Sequence, residues 1–187
     1  DRIIDQAQQQ RTPHELTSST LRIAGIMRES IVDGPGIRFA IFCQGCPHDC
    51  PGCHNPETHD FNGGTEVSLA KMLEAIDENP ILKGVTFSGG DPMYQAPAFT
   101  ELARRIKEET SKTIWCWTGF TLEEIQASAR LSQLLPYLDV LVDGPFILEQ
   151  RDTDLLFRGS PNQRIIYLHG APPEDHIPGT VPLEPLR

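Results

Sequence analysis

Three cysteines packed into eight residues, Cys46-Pro-His-Asp-Cys50-Pro-Gly-Cys53, constrain this chain more than any other feature. A C-x3-C-x2-C run with two prolines and a glycine cannot be a helix or a strand, so it is a loop that must gather its sulfurs. Four of the five cysteines fall within Cys43–Cys53. Disulfide frameworks spread even numbers of cysteines along short secreted chains, so an odd, clustered set points to metal or redox chemistry. Four thiolates saturate a 4Fe–4S cluster, so three would leave one iron open. An open coordination position is the mark of a catalytic rather than a structural metal centre. Zinc is the competing occupant, because Cys43, His48, His54 or His59 offers a fourth ligand. A ferredoxin-like carrier would need Cys43 as its fourth thiolate. That residue ends a strand, where a small buried thiol fits better. Cys116, between Trp115 and Trp117, also reads as core.

The 187 residues suit one domain. Hydrophobic residues make up 39% and charged residues 22%, as in globular proteins, and no apolar run is long enough to cross a bilayer. No segment has the apolar core of a signal peptide, which leads to the expectation of a cytoplasmic protein. A net charge of -10 argues against non-specific nucleic-acid binding. Residues 1–19 are polar and rich in glutamine and read as an extension. Residues 20–170 form the expected domain, and 171–187 a proline-rich tail.

Inside that domain, strand and helix signals alternate. Ile37–Phe42 reads as a buried strand leading into the cysteine loop. Leu69, Met72, Leu73 and Ile76 mark one face of a helix ending near Asn79–Pro80. Gly84–Ser88 is a second strand, stopped by Gly89–Gly90. Phe99, Leu102 and Ile106 line a second helix. Thr113–Thr118 is a third strand, and Thr121 with Glu124 makes a capping box opening a third helix. Asp139–Val142 and Arg164–Leu168 complete the strands. Such alternation predicts an α/β fold with a parallel sheet, and ligands at the carboxyl ends of its strands. The cysteine loop, Ser88–Pro92, Thr118–Gly119 and Asp143–Gly144 should therefore meet on one rim. By residue type alone, Gly89–Gly90–Asp91–Pro92 reads equally well as a plain turn. Asp33-Gly-Pro-Gly36 reads first as a turn, Arg38 is expected to reach a carboxylate near the rim, and Asp143 to cap a following helix.

Several stretches together resemble the glycyl-radical-enzyme activases, a branch of the radical S-adenosylmethionine enzymes. They are Asp33-Gly-Pro-Gly-Ile-Arg-Phe39, Gln44-Gly45-Cys46 and Cys53-His54-Asn55. Cys50-Pro-Gly-Cys53, Ser88-Gly-Gly-Asp-Pro92, Trp115–Phe120, Leu141-Val-Asp-Gly144 and Arg158–Gln163 are similar to the branch that activates anaerobic ribonucleotide reductase. The resemblance spans about Arg22 to Leu168 and implies an open, partial βα barrel of the radical SAM type. It implies Cys46, Cys50 and Cys53 as ligands of a 4Fe–4S cluster, with S-adenosyl-L-methionine chelating the open iron. Gly89, Gly90 and Asp91 would meet the methionine amine, Gly52 and His54 the adenine end, and Asn55 would also bind the cofactor. Reductive cleavage of the cofactor would give a 5′-deoxyadenosyl radical that takes a hydrogen atom from a glycine. The implied partners are the large glycyl-radical subunit of the reductase and a low-potential electron donor of flavodoxin or ferredoxin type. Two alternatives stay open: an activase of another glycyl radical enzyme such as pyruvate formate-lyase, and a zinc-stabilised binding module without catalysis.

Overall fold

A computed structural model describes residues 20–46, 48, 60–169 and 180–182. The polar extension, Cys50, Gly52, Cys53, His54, Asn55 and most of the proline-rich stretch lie outside the described residues.

Eight strands form one open, mixed sheet in the order β3-β1-β2-β4-β5-β6-β7-β8. They are β1 (Thr20–Ser30), β2 (Arg38–Cys43), β3 (Thr65–Ser68), β4 (Gly84–Gly89), β5 (Thr113–Trp117), β6 (Val140–Asp143), β7 (Arg164–Tyr167) and β8 (Thr180–Pro182). The central four, β2, β4, β5 and β6, run parallel. The expectation of a parallel sheet holds for these and fails at both flanks. There β1 is antiparallel to β2 and β3, and β7 is antiparallel to β6. Parallel neighbours need a crossover helix, whereas antiparallel ones need only a loop. No helix separates β1 from β2, and only a short 3₁₀ turn at Leu148–Gln150 lies between β6 and β7.

Helix α1 (Leu69–Asp77) buries Leu69, Met72, Leu73 and Ile76, the stripe its periodicity predicts, and Ser68 caps it by accepting the Lys71 N–H. Helix α2 (Ala96–Glu109) buries Phe99, Leu102 and Ile106 and keeps Arg104 outside, paired with Glu101 and Glu108. Helix α3 (Leu122–Gln126) opens on the Thr121–Glu124 capping box, with both reciprocal bonds present. A single turn, α4 (Ala129–Ser132), follows.

Alternation along the strands sorts side chains into two layers. Phe39, Ile41, Val85, Phe87, Ile114 and Leu141 join the helices in the main core. Trp115, Val140, Val142, Ile165 and Tyr167 form a second cluster, against which Trp117 and Phe157 pack. Arg38 is fully buried and lies 5.8 Å from the Trp115 ring centroid. Its guanidinium donates to the hydroxyls of Thr86 and Thr113 and to the carbonyls of Val85, Thr113 and Pro35. It stands at the start of β2, the end of the strand away from the cysteine rim where it was expected.

Candidate metal centre

The carboxyl ends of the parallel strands converge as their directions require. Beyond Cys43 the chain turns through Gly45, whose φ of 103° belongs to the left-handed region, and reaches Cys46. Beyond β4, the Gly90 N–H donates to the Cys43 carbonyl at 2.8 Å and the Asp91 N–H to the Gly45 carbonyl at 2.9 Å. The parallel ladder thus continues past the strand ends and holds the Gly89–Gly90–Asp91 segment against the entrance to the cysteine loop. A Cβ on Gly90 would stand 2.4 Å from the Gly45 carbonyl oxygen, so only glycine permits this approach.

Gln44 closes the neck of the loop. Its side-chain amide donates to the Asp60 carbonyl at 2.7 Å, and its backbone N–H to the Arg22 carbonyl at 3.0 Å. Gln95, in the 3₁₀ turn Pro92–Gln95, accepts the Arg22 N–H at 2.9 Å and donates to the carbonyls of Arg22 and Gln44 at 2.8 and 3.2 Å. Two glutamines therefore tie β1, the loop neck and the turn after β4 together. Sequence reasoning quoted Gln44 only within the Gln44-Gly45-Cys46 stretch and passed over Gln95, since a glutamine carries no local signal of what its amide will reach.

Asp91 has no exposed surface. Its carboxylate accepts the Met93 N–H at 3.0 Å, the Thr118 hydroxyl at 2.9 Å, the Gly119 N–H at 2.9 Å and His48 Nε2 at 2.5 Å. The turn reading of this segment and its place at the rim both describe it, because Asp91 caps the 3₁₀ turn while clasping the end of β5. Burial alone would lower the His48 pKa, but the Asp91 carboxylate outweighs it and lifts the imidazole above its ordinary 6.5. The ring also meets Phe120 edge-on, with centroids 4.5 Å apart. The sequence reading weighed His48 only as a zinc ligand. Its place between Cys46 and Cys50 was the available signal.

Cys46 is half-buried at the rim, whereas Cys43 and Cys116 are fully buried in the main core. Burial pushes the Cys43 thiol well up, aided by the charge of Asp91, and burial does the same to Cys116. Such enclosure disfavours the thiolate that a metal needs, whereas Cys46 stands at the rim. Gly144 joins the rim by donating its N–H to the Phe120 carbonyl at 2.9 Å. The Arg158–Gln163 motif knots the β6–β7 connection, since Gln163 accepts the Gly159 N–H and donates to the Gly144 carbonyl, while Asn162 donates to the Pro145 carbonyl.

This setting suits an iron–sulfur cluster. The loop carries three soft thiols and starts from a partly exposed cysteine, while the two other cysteines are withdrawn into the core. Among the described residues, no three His, Cys, Asp or Glu side chains gather as an alternative metal group.

The family described as a 4Fe-4S single cluster domain matches residues 32–166, which defines the class of the protein. The anaerobic ribonucleoside-triphosphate reductase-activating protein of Vibrio cholerae is 44% identical over 142 residues, covering 72% of this chain and 90% of that one. The protein of that name from Escherichia coli K12 is 38% identical, covering 74% of this chain and 93% of its own length. The one from enterobacteria phage T4 is 34% identical, covering 72% and 86%. The chain belongs to the family of anaerobic ribonucleoside-triphosphate reductase-activating proteins. A solved structure, QueE from Escherichia coli, aligns with 70% of this chain and 73% of that one at 14% identity, with a TM-score of 0.42, too low to bear on the fold.

Proposed function

We infer that this chain is a radical S-adenosylmethionine activase that installs a glycyl radical on the large subunit of anaerobic ribonucleotide reductase. The observation that carries the reading is the joining of the cysteine-loop entrance to the Gly89–Gly90–Asp91 segment by the Asp91 N–H to Gly45 carbonyl bond of 2.9 Å. That bond brings a thiol-bearing loop and a glycine-lined backbone edge to one rim, where a small ligand can touch both. When bound, the cluster supplies an electron and S-adenosylmethionine supplies the carbon–sulfur bond that this electron breaks.

The chain's own part is ligation, orientation and exclusion of water. Cys46, Cys50 and Cys53 hold the cluster and leave one iron without a protein ligand. Gly89 and Gly90 present backbone to the methionine end of the cofactor, Gly52 and His54 serve its adenine end, and Asn55 also binds it. The sheet forms an open, partial βα barrel of the radical SAM type. The cluster of Trp115, Val140, Val142, Ile165 and Tyr167 gives it a dry floor. An open side suits a hydrogen donor that arrives as a loop of another chain. A flavodoxin- or ferredoxin-type protein delivers the electron, and the setting is cytoplasmic. Among the described residues, no helix is long and apolar enough to cross a membrane.

Anaerobic iron–sulfur reconstitution, reduction and addition of S-adenosylmethionine test the reading. Methionine and 5′-deoxyadenosine should appear, and adding the reductase large subunit should produce a glycyl radical visible by paramagnetic resonance. A colourless protein holding one zinc, or a reduced cluster that leaves the cofactor intact, refutes it. A radical on pyruvate formate-lyase and none on the reductase would reassign the partner.

A further inference from the structure

We propose that Asp91 is a positioning residue: its carboxylate seats the cysteine loop through His48 and makes no contact of its own with the cofactor. The proposal rests on the reading of Cys46, Cys50 and Cys53 as cluster ligands. It changes the role of the one acidic member of the Gly89–Gly90–Asp91 segment.

A carboxylate offers about four lone-pair positions. At Asp91 the donors are Met93 N–H and the Thr118 hydroxyl on Oδ1, with Gly119 N–H and His48 Nε2 on Oδ2. The side chain is wholly enclosed. An incoming ammonium group would have to displace a protein donor from a buried oxygen, at the cost of leaving that donor unpaired. The backbone of Gly89 and Gly90 is the part of the segment that remains available.

His48 stands two residues after Cys46 and two before Cys50, so fixing its ring fixes the middle of the C-x3-C span. Three residues from two segments meet on that ring. Asp91 from the turn after β4 binds Nε2, Phe120 packs against it in a T-shaped contact, and Gly119 leaves room for it, since a Cβ there would stand 2.5 Å from His48 Cδ2. Loops that hold a metal group keep their shape through such outer partners, whose loss costs roughly 10- to 100-fold in metal affinity or activity.

The test uses the full chain as wild type, Asp91→Asn, His48→Ala and the double variant, each reconstituted anaerobically. The readouts are the rate at which a ferrous chelator strips iron from the reduced cluster, the paramagnetic spectrum with and without S-adenosylmethionine, and the unfolding midpoint of the iron-free chain. Each single change should speed iron loss by about tenfold or more. The double variant should lose iron no faster than the faster single. The spectral response to S-adenosylmethionine should survive in Asp91→Asn. Unchanged iron loss in His48→Ala overturns the proposal, as does a double variant in which the two effects multiply. So does an Asp91→Asn protein that holds iron normally yet ignores S-adenosylmethionine, which would return the carboxylate to the cofactor. Should Asp91→Asn fail to fold, His48→Ala decides alone, because its ring is partly exposed and its removal leaves Asp91 three donors. A wild-type chain that takes up no iron defeats the cluster reading itself, an outcome distinct from variants that behave like an iron-bearing wild type.

Discussion

Asp143 and Arg164 face each other across the β6–β7 register, with Arg164 Nη2 2.5 Å from Asp143 Oδ2. The same Asp143 oxygen accepts the Leu122 N–H at 2.7 Å, so one buried carboxylate caps α3 and ties it to two strands. Capping was the expected role, but the helix precedes Asp143 in the chain instead of following it. Asp143→Ala should cost about 2–3 kcal/mol, because it leaves the Leu122 N–H unpaired and the guanidinium with only Glu123. Asp143→Asn, which keeps an acceptor, should cost less. Urea unfolding of the iron-free protein measures both.

Glu123 gives a pH signature of small size, since its side chain is 66% exposed. The Arg164 guanidinium bonded to it holds its carboxyl below the ordinary 4.5. The unfolded chain then binds the proton more readily, so the contribution is complete above pH 4.5 and fades as pH falls through the folded value. Between pH 6 and pH 4 the wild type should lose slightly more of its urea midpoint than Glu123→Gln. Equal losses would show that the pair contributes nothing.

Two glycines should respond in opposite ways. A Cβ on Gly25 meets nothing within 4 Å, and its φ is ordinary, so Gly25→Ala should be neutral or stabilising by about 0.4–1 kcal/mol. Gly90→Ala drives a methyl into the Gly45 backbone and should cost about 1–3 kcal/mol. It should also loosen the cluster, read as faster iron loss to a chelator. Similar thermal shifts in the two variants would contradict the rim geometry.

Replacing Cys46, Cys50 or Cys53 with Ala should abolish iron–sulfur reconstitution and 5′-deoxyadenosine release. Cys43→Ala and Cys116→Ala should keep both and lose only about 1–2 kcal/mol from small cavities in the core. Iron content and stability, measured side by side, separate the two classes. An empty cluster in Cys43→Ala would mean that the loop recruits a fourth thiolate and that the open iron does not exist.

Gln95→Ala should cost about 1–3 kcal/mol, since it strips the Arg22 N–H of its partner, while the Arg22 carbonyl keeps the Gln44 N–H. The loss would show as earlier urea unfolding, with Arg22→Ala having little effect on the same bonds because they are backbone groups.

Local chemistry was legible where one element suffices to express it. The α1 stripe, the Thr121–Glu124 box and the C-x3-C-x2-C spacing each depend on residues a few positions apart, and each was readable in order along the chain. Strand direction at the flanks was not, because it depends on whether a helix or a bare loop joins two strands and on which edge the chain finds free. Strand β1 also escaped notice, as its only buried apolar residues are Leu21 and Ile23 while Ala24, Ile26 and Met27 are exposed.

What this sequence determined unaided was the supply of parts: a loop with three clustered thiols, a glycine pair after a strand, and helices that can cover one face of a sheet. Which parts touch was decided only on folding. Asp91 and His48 lie 43 residues apart, Gln95 and Arg22 lie 73 apart, and Arg164 and Asp143 lie 21 apart. A hydrogen bond acts over about 3 Å whatever the separation along the chain. Its partner is therefore chosen by sheet order and register, which no local stretch of residues encodes.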